Sequence, residues 1–289
     1  MKIGSTDIVD CKIGTTQVNK IYLGSNLVWE KASPLLLDLY PDADAAYSLR
    51  KLRTAYAGSA IRVRRSSDST ETDIGFVDNE LDTVSLLAFV GANDGFVTTW
   101  YDQSGSGNNA IQATASNQPK IVSLGSVISY NSEYALEFNG TNNYLISGVS
   151  LGSTATHINL YKYSGGTNSV VFDGVGSSNR QVPAFPREFS GTFSIFSGLT
   201  SINNGAYDTN QHIHITSFDT NDNYYRDGLQ MLTNVDSGSN TITGGVIGAA
   251  FNFSSSFNGV MQEIVIYNSN VLSDRAGIES NINSHYNIY

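Results

Sequence analysis

Six residues around one turn carry side chains of the kind that recognise sugars. Trp100 and Tyr101 offer flat aromatic faces, and Asp102, Gln103, Asn108 and Asn109 offer planar donors and acceptors within the same stretch. Sugar rings are held by that mixture, with hydroxyls bonded to amides and carboxylates and a ring face stacked on an aromatic. The structural alternative is that Asp102 and Gln103 brace the loop and Trp100 belongs to the core. Cleaving a glycoside asks for more. A retaining enzyme needs two carboxyl groups about 5–5.5 Å apart, one as nucleophile and one as acid/base. The sequence assigns no catalytic residue; Glu137 and Glu263, the glutamates on clear strand patterns, are the positions to consider.

Metal chemistry has two candidate settings. His212 and His214 lie two apart on a strand, hence on one face, but no third ligand accompanies them and packing is the plainer account. Asp219, Asp222 and Asp227 cluster near one hairpin, where loop carboxylates could hold Ca²⁺; a solvated turn is the alternative, and no other cofactor is indicated. Arg62, Arg64 and Arg65 alternate imperfectly with Ile61 and Val63, as on a solvated sheet face paired with Asp68, Glu71 and Asp73.

The composition narrows the classes. Charged residues are scarce at 15%, and the formal charge of −10 argues against a nucleic-acid partner, which needs a concentrated basic surface. Cys11 is the single cysteine, so no intramolecular disulfide is expected. The stretch MKIGSTDIVDCK lacks the apolar segment of a signal peptide, and no apolar run approaches a membrane span, so synthesis in a cytosol and no membrane insertion are expected.

The elements that must position these groups follow from periodicity. A repeat of ten opens the chain, at Ile3-Gly4-Ser5, Ile13-Gly14-Thr15 and Leu23-Gly24-Ser25, and predicts a three-stranded meander too small to be stable alone. It must dock on something, through Ile13, Ile21, Leu23, Leu27 and Trp29. Ser33-Pro34 marks the boundary, giving units 1–33 and 34–289. Leu35–Leu37 reads as a buried strand, and Ala45, Leu49, Leu52 and Tyr56 recur at helical spacing up to Gly58. Asp82 caps a second helix, Thr83 to Val90, which Gly91 closes. Phe96 to Tyr101 is an aromatic strand leading into the turn Asp102–Asn109. Beyond it strands dominate: 157–163, 169–172, 193–196, 212–218, a hairpin turning at Asp227-Gly228, and 257–267. A closing helix starts at Ser273, with Ile278, Ile282 and Tyr286 on one stripe. Many short strands at regular spacing indicate an all-β, antiparallel two-sheet jelly-roll sandwich with a few short helices.

Three resemblances add to this reading. The segment Ile21 to Glu30 resembles short N-terminal repeats on head and tail appendage proteins of tailed bacteriophages. Residues 47–122, with Ile61-Arg62-Val63-Arg64-Arg65-Ser66-Ser67-Asp68 and Tyr101-Asp102-Gln103-Ser104-Gly105-Ser106-Gly107-Asn108, resemble the catalytic domain of α-L-arabinofuranosidase B. The C-terminal part, with Leu136-Glu137-Phe138-Asn139-Gly140, Asp227-Gly228 and Phe257-Asn258-Gly259, resembles the concanavalin A-like, laminin-G-like sandwich. The arabinofuranosidase resemblance implies a nucleophilic glutamate in a Met-Asp-x-Glu-Asn string and a disulfide near the site, and the chain carries neither. The expectation drawn from all three is a virion structural protein on the phage head or tail, such as a head fiber. It would dock to other virion proteins through residues 1–33 and present a carbohydrate-binding sandwich to host-surface polysaccharide during host attachment. A homo-oligomer, with a trimer favoured, located on the virion surface after synthesis in the bacterial cytoplasm, completes that expectation. The alternatives are a glycoside hydrolase of α-L-arabinofuranosidase type and a decoration protein without a ligand.

Overall fold

The computed structural model describes residues 2–3, 6–7, 10–18, 20–30, 34–166, 169–187, 191–199 and 202–289. It is mainly β, with 46% strand and 10% helix. The chain divides into two units, 1–35 and 36–289.

In the first unit the repeat of ten gives three two-stranded hairpins, where a three-stranded meander was expected. Lys2–Ile3 pairs with Thr6–Asp7, Cys11–Ile13 with Thr16–Val18, and Lys20–Leu23 with Asn26–Glu30. The reason is local. Gly14 and Gly24 stand first in two-residue turns with φ of +62° and +64°, the conformation that folds a strand straight back on itself. The Gly14-Thr15 and Gly24-Ser25 corners are therefore hairpin tips, and no strand among the described residues runs through a whole repeat. Of the docking candidates, Ile13 and Leu23 are exposed, Ile21 is half-buried and Trp29 is buried. The side chain of Leu27 lies outside the described residues.

The second unit is the antiparallel sandwich that the strand spacing predicts. One continuous ladder folds over to enclose the main core, which Trp100, Phe138, Phe172, Phe218 and Phe257 fill. Its centre is the strand Asn258–Tyr267, which pairs with Ala155–Tyr163, Leu136–Asn139 and Ala45–Ser48. The strands 155–163, 211–218 and 258–267 are covered on both faces. Ile264, Ile266 and Tyr161 point into the main core, while Ile158, Leu160, Ile213, Ile215 and Val265 meet Leu36, Leu37 and the helix Arg275–Tyr286. That helix buries Ile278, Ile282 and Tyr286, the stripe read from the sequence, and each such side chain contributes about 1.5–3 kcal/mol when fully buried. The helix Thr83–Val90 forms as expected, with Asp82 accepting from the Ser85 amide and Gly91 closing it at φ +62°.

Two expected elements are exchanged. Leu36–Leu39 is a short helix instead of a strand, and Ala45–Ser48 is a strand instead of the start of a helix. All four residues of 45–48 are buried, and the segment after them takes its hydrogen bonds from side chains of the central loop. Helical spacing of apolar residues lost here to a ladder position with both faces covered. No described helix is long and apolar enough to cross a membrane.

Candidate functional site

The loop after the strand Gly95–Trp100 proves to be a brace. Trp100 is fully buried and its ring packs on Tyr47 at 5.8 Å, so it offers no face to a sugar. Asp102 accepts from the Ala46 amide at 2.8 Å, the Ser104 amide and hydroxyl, and the Asn108 amide at 2.9 Å. Gln103 accepts from the Leu52 amide and donates to the carbonyls of Ser48 and Arg50, each at 3.0 Å. Asn108 donates to the Asp44 carbonyl, Asn109 accepts from the Asp102 amide, and the Tyr101 hydroxyl donates to Asp73. The expected glycan-binding role of Trp100, Asp102 and Gln103 is thus corrected by burial. Tyr101, Asn108 and Asn109 keep partial exposure at the loop's rim.

The remaining candidates are equally engaged. Glu263 is 1% exposed and forms a two-pronged ion pair with Arg50, Nε to Oε2 at 2.7 Å and Nη2 to Oε1 at 2.9 Å. The hydroxyls of Ser48 and Tyr286 complete its shell. Glu137 is exposed, so the two glutamates do not share a site. His214 stacks between Tyr161 and Tyr224 and is fully buried, while His212 is held between Asp227 at 2.5 Å and Asp208 at 2.8 Å. Asp222 is buried and accepts from the amides of Asp219 and Ser237, and Asp219 accepts from Thr220 and Asn270. Asp219, Asp222 and Asp227 therefore do not converge on one ion position. Arg62 pairs with Glu71 and Arg65 with Asp68, as the solvated-face reading expects.

A constellation that the sequence reading missed is formed by Glu80, Glu133 and His285. Two tight hairpins present the glutamates. Phe76–Val77 turns through Asp78-Asn79 into Glu80–Leu81, and Ser129–Tyr130 turns through Asn131-Ser132 into Glu133–Tyr134. Both turn residues have positive φ in each case, +52° and +69°, then +52° and +68°. That is the two-residue hairpin turn which Asn and Asp tolerate best. Each glutamate is the first residue after such a turn. The first hairpin is tied down by the Lys51 amide on the Asn79 carbonyl. In the second, the Asn131 side chain donates to the carbonyls of Tyr286 and Asn287, and Gln262 donates to the carbonyls of Tyr130 and Glu133. His285 comes from the last turn of the C-terminal helix.

One ligand atom from each of the three residues lies within 4.8 Å of the others. They border a groove of about 780 Å³, with Asp82, Ser85, Ser132 and Tyr134 among its walls. Burial and the charge of Glu133 push the Glu80 carboxyl up to about 7, against the pull of Arg50. Burial also raises Glu133, again opposed by Arg50. Burial and Arg50 hold His285 down to about 4, so its ring is neutral at ordinary pH. A carboxyl that keeps its proton near neutrality beside a second carboxyl is an arrangement general acid–base chemistry can use.

Residues 38–170 match the family described as alpha-L-arabinofuranosidase B, catalytic, a stretch that contains both glutamates of this site. No curated protein matches the chain. Among solved structures, the chain is similar to a mutant GH54 α-L-arabinofuranosidase soaked with 4-nitrophenyl α-L-arabinofuranoside, with a TM-score of 0.67 at 14% identity. It is also similar to a GH54 α-L-arabinofuranosidase soaked with a cyclic sulfate inhibitor, TM-score 0.66 at 15% identity. A third is an arabinofuranosidase complexed with arabinofuranosyl-α-1,2-xylobiose, TM-score 0.64 at 14% identity. Each likeness covers 83% of this chain and 62% of the other, so the chain spans less than two thirds of those proteins. At these identities the likeness shows the fold. The expectation of a bacteriophage virion structural protein is corrected here: the matches point to an arabinofuranosidase-like sandwich domain.

Proposed function

We propose that the sandwich is a glycoside hydrolase of α-L-arabinofuranosidase type, with the groove between Glu80 and Glu133 as its active site. The observation that carries this is a close carboxyl pair in an open groove, on a stretch matching an arabinofuranosidase catalytic family. One oxygen of each carboxyl lies within 4.8 Å of the other, nearer to the separation of about 5–5.5 Å in a retaining pair than to that of about 6.5–9.5 Å in an inverting one. Glu80, whose carboxyl is pushed up to about 7, acts as the acid on the leaving oxygen. Glu133 attacks the anomeric carbon, and Glu80 then serves as base for the incoming water. Arg50 behind them tempers the repulsion between the two carboxylates without bonding to either.

The test is release of nitrophenol from 4-nitrophenyl α-L-arabinofuranoside by the full chain. Glu80→Gln and Glu133→Gln should each lower the rate by about 10²–10⁴, the usual worth of a positioned acid or base. Release unchanged in both variants would place the chemistry elsewhere. A second reading, carbohydrate binding without hydrolysis, is favoured by one observation. The single Cys11 and the missing Met-Asp-x-Glu-Asn string leave out parts that the arabinofuranosidase resemblance implies. Retention of arabinose-bearing polysaccharide without any release would select it.

A further inference from the structure

The triad Glu80, Glu133 and His285 has a property that acid–base chemistry does not require. One ligand atom of each residue lies within 4.8 Å of the others, with the imidazole beside both carboxyls. His285 Nδ1 lies 3.8 Å from Glu80 and Nε2 lies 3.5 Å from Glu133, contacts too long to be good hydrogen bonds. Neither carboxylate accepts a side-chain hydrogen bond among the described residues. The neighbouring cation is spent: Arg50 gives Nε and Nη2 to Glu263 and Nη1 to Asn281.

We propose that this triad binds a divalent first-row metal ion of the zinc class, with the groove leaving its fourth position open. The donor set is one imidazole nitrogen and two carboxylates, three protein ligands with an open site, as zinc takes in catalytic centres. Calcium and magnesium prefer six or more oxygen ligands and are disfavoured by the imidazole. Ligands at about 2.1 Å from a tetrahedral ion lie about 3.4 Å apart, so side-chain rotations of about 1 Å bring atoms now within 4.8 Å into place. Both glutamates follow rigid two-residue turns, one of which is bonded to the end of the helix that carries His285.

This inference goes beyond hydrolysis and stands without it. Where the hydrolytic reading holds, the ion occupies the lone pairs of the acid and its partner, so zinc inhibits. The test is calorimetric titration of the chelator-stripped full chain with zinc chloride and, separately, with calcium chloride, in the absence of any sugar. The expected result is one zinc ion per chain, with affinity at least about 100-fold weaker in His285→Ala and in Glu133→Gln, a larger loss than outer-sphere partners cause. Circular dichroism confirms that the variants fold. His212→Gln should leave zinc binding unchanged, because both His212 ring nitrogens already face Asp208 and Asp227. Absence of zinc heat overturns the proposal, as does binding that survives both triad variants, and calcium bound as tightly as zinc overturns the choice of ion. Because the readout is heat without substrate, failure to hydrolyse and failure to bind metal are separate results.

Discussion

Glu263→Gln is the substitution that most sharply separates a structural carboxylate from a catalytic one. The carboxylate is 1% exposed and receives four donors: Nε and Nη2 of Arg50, the Ser48 hydroxyl and the Tyr286 hydroxyl. Burial works against the charge on Arg50, and Glu263 more than offsets it, holding the guanidinium firmly protonated. Glutamine keeps the shape and one acceptor but removes the charge. Arg50, 7% exposed, is left as an uncompensated buried cation, which costs about 3–5 kcal/mol. For a domain of this size each kcal/mol moves the melting temperature by about 2–4 °C, so scanning calorimetry should show a fall of roughly 6–20 °C. Glu137→Gln, at an exposed position, should stay within about 0.5 kcal/mol of the parent. The double variant Arg50→Met with Glu263→Leu should recover most of the loss, because an apolar pair removes the orphaned charge. A Glu263→Gln protein that melts within about 2 °C of the parent would refute this reasoning and return Glu263 to the list of functional carboxylates.

Asp102→Ala strips four hydrogen bonds from the central loop, three of them from backbone amides, and should cost about 3 kcal/mol or more in urea unfolding. Ile282→Ala, on the buried face of the C-terminal helix, should cost about 2–5 kcal/mol in the same assay. His212 gives a pH signature. Burial disfavours its charge, but the hydrogen bonds to Asp227 and Asp208 prevail and raise its pKa, with Arg226 the nearby cation and His214 a buried neutral neighbour. A raised folded-state value means that the stabilisation is complete below the unfolded value of about 6.5 and is lost as pH rises through the folded one. The stability difference between the parent and His212→Gln should therefore shrink as pH rises above about 6.5 in parallel urea titrations, and a difference that grows would sink the assignment.

Much of the sandwich is legible from residue order. Ile278, Ile282 and Tyr286 announce the closing helix, Asp82 and Gly91 bracket another, and Asp227-Gly228 marks a hairpin tip, because each signal is local and its physics is satisfied by near neighbours. The segment 45–56 misleads because its partners are remote. Asp102 and Gln103 supply the hydrogen bonds that a helix would have found within itself, and the strand Asn258–Tyr267 supplies the ladder. The same cause made Asp102 and Gln103 resemble sugar ligands: polar side chains grouped on a Gly-rich turn serve backbone as readily as a substrate. The triad was hidden for a different reason. Its members come from three distant parts of the chain, and the one local trace is the pair of motifs Asp78-Asn79-Glu80 and Asn131-Ser132-Glu133, a glutamate after a two-residue turn in each.

The central position of the strand Asn258–Tyr267 also sets a timetable for synthesis. Ser48 lies 215 residues upstream of the Glu263 to which it bonds. At roughly 5–20 residues per second, the ribosome keeps the early strand waiting about 10–40 s for its neighbour. Until then 155–163 lacks its ladder partner 258–267, and the faces of 155–163 and 211–218 that the C-terminal helix side covers stay open. The hairpins of residues 2–30 close over a few residues each and are free of that delay. A ribosome stalled before residue 258 thus holds a chain whose early hairpins can form and whose middle is sticky, which makes residues 258–289 the ones that decide whether this sandwich folds or is captured by chaperones.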